Sequence, residues 1–178
     1  MTGYSATTFR DTTSSAFIIS PNGETLSLGT LPNGRTSEGN DINASGQVTG
    51  TSTYDNQNFW SIYSHAFVTN VNGQMKDLGV IQGYASFGTG INDNGLGTGG
   101  SQYTFGSQET HAFITDASGR MTDLGTLGGS SSVGMAINNS GLITGNSKLV
   151  DGNTHAFIIN SSGEMIDLGT LGGAISNG

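Results

Sequence analysis

The chain has no cysteine, two prolines, one tryptophan and only five lysines and arginines among its 178 residues. Without cysteine there is no disulfide and no thiol chemistry, and the sequence carries no redox trace of its compartment. Thirteen acidic residues against those five bases give a net charge of −8. Such a surface lacks the basic stripe that displaces counterions from a nucleic acid or an anionic membrane, so neither is an expected partner. No apolar run approaches the roughly 20 residues that cross a bilayer. The opening Met1-Thr2-Gly3-Tyr4-Ser5 has neither the basic nor the apolar part of a signal peptide. If the protein is exported, its export signal is expected outside these residues. No segment combines an apolar period of about 3.6 with a helix-length stretch free of glycine, so essentially no helix is expected.

What the chain does have is glycine, 30 residues of it, and a phrase repeated four times. The phrase is Ala-Phe, a polar and apolar interval, then Leu-Gly, and it runs over 16–29, 66–79, 112–125 and 156–169, in steps of 50, 46 and 44 residues. Glycine at this density without a three-residue period excludes collagen, and the regular apolar positions argue against disorder. A period of this length signals one supersecondary unit repeated in space.

Each copy resolves into four short strands. Hairpin turns close on Gly23, Gly73, Gly119 and Gly163, and a second set on Gly46, Gly95 and Gly141, between an Ile-Asn strand and a Thr-Gly-x-Ser strand. Glycine at the last loop position suits a type I turn with a glycine bulge, which requires positive φ there. The links from Thr-Gly-x-Ser to Ala-Phe vary in length, and those from Leu-Gly to Ile-Asn are long and glycine-rich, which marks them as crossovers between units. The expected fold is therefore all-β: a β-propeller of about four four-stranded antiparallel blades, one incomplete, or a segment of a larger propeller. The blades are expected near 1–31, 32–81, 82–127 and 128–171, with 172–178 starting a further strand. Thr2-Gly3 belongs to a second strand and 172–178 to a crossover, as where a ring is sealed by both ends. An incomplete blade leaves a sheet edge open, and a homo-oligomer through that edge is an expected association.

His65-Ala66-Phe67, His111-Ala112-Phe113 and His155-Ala156-Phe157, together with Asp-Leu-Gly-Thr-Leu-Gly-Gly at 123–129 and 167–173, resemble the bacterial extracellular repeats called the HAF family. The resemblance covers nearly the whole chain. It implies an exported, secreted or surface-associated bacterial protein and supplies no catalytic residue. The first copy departs from the pattern, with Ser15 in place of the histidine and Ser27 in place of the aspartate.

That paired loss bears on the three histidines, the usual first suspects for catalysis or metal binding. A hairpin places His65 diagonal to Asp77, His111 to Asp123 and His155 to Asp167, so each pair reads as a structural hydrogen bond. Asp93-Asn94-Gly95 and Asp151-Gly152-Asn153 lack the further spaced carboxylates of a calcium loop and read as turns. The sequons at Asn43, Asn138 and Asn160 fall in turn chemistry too. No metal, cofactor or catalytic residue is expected.

Variation between copies carries the functional signal. Strand alternation puts the variable links and the crossovers on one face and the uniform turns on the other. The link in the second copy swells to hold Tyr54, Phe59, Trp60 and Tyr63; Tyr103 and Phe105 occupy the next copy, and Tyr4 and Phe9 the first. Tyr54, Phe59, Trp60, Tyr63, Tyr103 and Phe105 are the candidate ligand-binding residues, since exposed aromatics among amides stack on sugars or anchor a protein partner. The competing reading is that they cover outer strands of neighbouring blades. The expected function is an extracellular or cell-surface binding or scaffold module recognising a glycan or a protein. A propeller glycosidase or lyase is the alternative; it wants two carboxylates about 5–10 Å apart, and the inner strands offer only Asp41 and Asp93. A passive spacer, the third reading, would favour loops of equal length.

Overall fold

The computed structural model describes residues 2–6, 13–55 and 62–178, without the side chains of 2–6, 55 and 62. These residues form fifteen strands and no helix. The first sheet comprises β1 (Thr2–Ala6), β2 (Ser14–Ile19) and β3 (Thr25–Gly29). The second comprises β4 (Ser37–Ile42), β5 (Val48–Asp55), β6 (Ile62–Thr69) and β7 (Met75–Asp77). The third comprises β8 (Ser86–Ile91), β9 (Gly97–Gln102), β10 (Thr110–Thr115) and β11 (Met121–Asp123). The fourth comprises β12 (Gly128–Ile137), β13 (Ile143–Leu149), β14 (Thr154–Ile159) and β15 (Met165–Asp167). Every sheet is an antiparallel meander in chain order, and among the described residues the first has no counterpart of the innermost strand of the others. The chain is all-β, built from blade-like sheets.

The turns form as the glycine spacing requires. Gly23, Gly46, Gly73, Gly95, Gly119, Gly141 and Gly163 all have φ between 77° and 86°, the left-handed region that a side chain disfavours. The glycine of Thr-Gly-x-Ser answers a different need. A Cβ on Gly50, Gly99 or Gly145 would lie 1.9–2.1 Å from the carbonyl oxygen of Glu38, Phe87 or Val133 on the neighbouring strand. At these points the inner two strands approach too closely for any larger residue.

Successive sheets pack face to face, and each junction has one hydrophobic cluster. Ala16, Leu28 and Leu31 of the first unit meet Val48 and Phe67 of the second. Ala66, Val68 and Leu78 meet Ile91 and Phe113, and Ala112 meets Ile143, Phe157 and Ile159. Phe67, Phe113 and Phe157 are each 0% exposed. One face of a unit thus presents alanine and two leucine-type residues, and the next unit covers them with its phenylalanine. Among the described residues no such cluster joins the fourth sheet to the first. Among the described residues the sheets make an open series and the sealed ring expected from the chain's ends is not seen; Ser176 follows the fourth sheet and donates its N–H to the Thr154 carbonyl at 3.0 Å.

A serine bridge locks each junction. The Leu-Gly segment bulges at Gly79 (φ 66°), so Ala66 N–H, which lies opposite, has no strand partner. The hydroxyl of Ser86 from the next unit enters this gap, accepting the Ala66 N–H at 2.8 Å and donating to the Gly79 carbonyl. Ser37 does the same for Ala16 and Gly29, Ser132 for Ala112 and Gly125, and Ser176 for Ala156 and Gly169. The serine of Thr-Gly-x-Ser has its own task, as Ser52, Ser101 and Ser147 accept the N–H of Leu31, Ile81 and Leu127 at 2.8–2.9 Å. Every buried side-chain polar atom among the described residues has a partner, as buried hydroxyls require.

Candidate recognition face

Each histidine–aspartate pair sits at the outer edge of a sheet. Nδ1 of His65 lies 2.9 Å from Oδ1 of Asp77, and the equivalent separations for His111–Asp123 and His155–Asp167 are 2.9–3.0 Å. The same carboxylates accept the N–H of Gly79, Gly125 and Gly169 at 2.7–2.8 Å. In the first unit Ser27 Oγ stands 3.4 Å from the Gly29 N–H in their place. The aspartate therefore ties the histidine strand to the bulge, and each pair is spent within its own unit. Among the described residues no group of three histidine or carboxylate side chains is arranged to hold a metal.

Burial raises the Asp77 carboxyl, but the His65 hydrogen bond, the Gly79 N–H and the His65 charge outweigh it and hold the group below the usual carboxylate range. The Gly169 N–H, followed by His155, does the same for Asp167. A depressed folded-state value means stability that is fully present above the unfolded carboxylate pKa of about 4 and lost as pH falls through the lower folded value. Thermal unfolding followed against pH is expected to show a midpoint that drops below about pH 4, with a shallower drop in Asp77→Asn.

The two inner carboxylates are also committed to structure. Asp41 accepts the N–H of Ile42 and of Ile91 in the next unit at 2.8 and 2.9 Å. Asp93 accepts the Ala44 N–H at 2.8 Å and the Asn139 amide at 2.7 Å, and the Ala44 N–H, then the Asn139 amide, lower its pKa. Asn43 and Asn92 donate their side-chain amides to the carbonyls of Asn92 and Asn138, so the inner turns form a ladder from unit to unit. Asp151 forms a turn, accepting the Asn153 N–H at 3.0 Å.

The candidate aromatics divide into two groups. Tyr54 stacks on His65, with ring centroids 5.2 Å apart, and Tyr103 stacks on His111 at 3.9 Å. Both therefore lie over a strand of their own sheet, where the sequence offered cover only by neighbouring units, and Tyr103 remains 41% exposed. Tyr63 and Phe105 come together through a residue that sequence reasoning overlooked, Tyr84. Tyr63 stacks on Tyr84 at 5.2 Å, and Phe105 packs edge-on against Tyr84 at 5.1 Å. Tyr84 is 46% and Phe105 58% exposed, and Tyr63 is half-buried, so the three rings form a ridge across the second and third units with two of them open to solvent. Phe59 and Trp60 lie outside the described residues.

Gln102 fixes this ridge. Its Oε1 accepts the Tyr84 N–H at 2.8 Å, and its Nε2 donates to the Ser107 carbonyl at 2.9 Å, so one side chain ties the crossover carrying Tyr84 to the loop carrying Phe105. Gly83 (φ 81°) lets the crossover press against it; a Cβ there would stand 2.7 Å from the Gln102 Cβ. Thr53 holds the corresponding place in the second unit, accepting the N–H groups of Arg35 and Thr36 at 2.8 Å. The available sequence signal was positional: Tyr84 stands two residues before the repeated Ser-x-Gly, and Gln102 directly follows Thr-Gly-x-Ser. Comparison with family models found no match, and comparison with curated proteins found no significant similarity. No helix among the described residues is long and apolar enough to cross a membrane.

Proposed function

We propose that the chain is an extracellular or cell-surface binding module that recognises a glycan or a surface protein through the loops at one edge of its sheets. The observation that carries this reading is the ridge of exposed Tyr84 and Phe105 stacked with half-buried Tyr63. Large aromatic rings normally find burial, and a solvent-exposed set held in place by backbone and amide hydrogen bonds is pre-organised for contact. The surrounding Thr104, Ser107 and Gln108 supply neutral polar groups of the kind that read hydroxyls or backbone amides. Phe59 and Trp60, in the link that precedes Tyr63, add aromatic area to the same reading. The resemblance to the bacterial HAF repeats supports the extracellular placement.

The test is a glycan array and, in parallel, surface cross-linking to intact bacterial cells, each with the parent chain and with Tyr84→Ala, Phe105→Ala and Trp60→Ala. Each substitution is expected to weaken binding about tenfold or more, equivalent to 1.4 kcal/mol or above. Array binding identifies a glycan, and cross-linking to a protein without array binding identifies a protein partner. Binding untouched by all three substitutions would remove the ridge from the site.

A further inference from the structure

We infer that the groove between the turns of the second and third units is a binding site for a single neutral sugar residue. The groove has a volume of about 340 Å³, at the small end of the roughly 300–1,000 Å³ typical of ligand sites. It lies at an internal junction, on the turn edge of the sheets, and does not depend on the aromatic ridge at the loop edge. The turns of the repeat are otherwise uniform, yet three side chains here depart from it. Gln47 stands where the later units have Leu96 and Leu142, and Gln74 where the others have Glu24, Arg120 and Glu164. Lys76 stands where they have Leu26, Thr122 and Ile166. All three line the one cavity, where the turns of the third unit close over the second.

Each polar group is held in place and keeps bonding capacity to spare. Gln47 accepts the Asn43 amide on Oε1 at 2.9 Å and donates from Nε2 to the Thr69 carbonyl at 3.2 Å. Gly95 of the third unit (φ 77°) lies over it, and a Cβ there would stand 3.2 Å from Oε1. Gln74 accepts the Asn70 amide on Oε1 at 2.8 Å. On the far wall Asp116 Oδ1 accepts the Ser118 hydroxyl at 2.6 Å and the Arg120 N–H at 3.0 Å, and Lys76 reaches across to the Ser118 carbonyl. Among the described residues this leaves one amide hydrogen of Gln47, both of Gln74, the remaining ammonium hydrogens of Lys76 and Oδ2 of Asp116 without a protein partner. An ammonium and a carboxylate on facing walls offset each other, so the site selects neither an anion nor a cation. Sugar hydroxyls donate and accept at once and match this mixed set, while Val68 and half-buried Met75 give an apolar lining for the C–H face of a ring.

Nuclear magnetic resonance of the isotope-labelled chain tests the inference, with separate titrations of methyl glycosides of neutral hexoses, deoxyhexoses and N-acetylhexosamines, of glycine, and of inorganic phosphate. At least one glycoside is expected to shift the side-chain amide signals of Gln47 and Gln74 saturably, whether or not Gln102 at the ridge responds. Gln47→Leu/Lys76→Thr gives the groove residues that later units carry at the same places. It is expected to keep the β circular-dichroism signal and to weaken that glycoside about tenfold or more. Asp116→Asn retains the acceptor of its turn; it is expected to weaken the glycoside too, and it carries the test should the double variant lose its fold. The inference is overturned by silence at Gln47 and Gln74 with every glycoside, by shifts there with glycine or phosphate alone, or by unchanged affinity in the folded variants. A glycoside that moves only Gln102 belongs to the ridge and overturns it equally.

Discussion

Phe113→Ala is expected to cost about 3–5 kcal/mol, the loss typical of a buried aromatic truncated to a methyl group. The ring is 0% exposed and packs among Ala66, Val68, Leu78 and Ile91, at the junction of the second and third sheets. The neighbouring backbones are held by the serine bridge and the inner asparagine ladder, so the site has little freedom to collapse into the space left behind. Phe17→Ala makes the same chemical change at the same place in the repeat, on a ring that is only half-buried. Its cost is expected to be well below that of Phe113→Ala. Urea unfolding of both variants measures the difference, and a fall in the slope of Phe113→Ala would show the array parting at the weakened junction. Equal costs at the two positions would contradict the face-to-face packing.

Ser86→Ala has the second-largest expected effect. Its hydroxyl is the sole partner of the Ala66 N–H and also satisfies the Gly79 carbonyl, in a site where the serine is 1% exposed. Alanine leaves a donor and an acceptor buried across a bulge, and each unsatisfied group costs about 1–3 kcal/mol. Ser176→Ala breaks the same bridge after the fourth sheet, where the serine is half-buried and water can replace the hydroxyl. That variant is expected to stay within about 0.5 kcal/mol of the parent. Thermal or urea unfolding of the two serine variants gives the comparison directly.

Much of this was legible in the sequence because a repeat reports the same constraint several times. Gly23, Gly73 and Gly119 end their turns in one copy after another, and the matched loss of histidine and aspartate at Ser15 and Ser27 pointed to the pairing later seen at 2.9 Å for His65 and Asp77. The serine bridge was equally repeated, at Ser37, Ser86, Ser132 and Ser176, but it passed unread because serine in a glycine-rich crossover resembles ordinary loop composition. Only the bulge at Gly79 gives that hydroxyl something to do. The open series among the described residues was not legible for a related reason: strand spacing specifies a unit and its neighbour, not the rotation between them. The aromatic ridge was half legible. Tyr63 and Phe105 stood out by composition, and Tyr84 joined them only through a crossover whose path Gly83 and Gln102 set.

The central claim is that each unit is completed by a hydroxyl from the next, and hydrogen exchange at the Ala66 amide tests it most directly. That N–H makes no bond within its own sheet, so its protection reports the junction alone. Slow exchange is expected at Ala66 and Ala112, comparable with neighbouring strand amides, with Ala66 accelerated in Ser86→Ala and Ala112 unchanged. An Ala66 amide that exchanges in the parent as freely as one in an open loop would contradict the account.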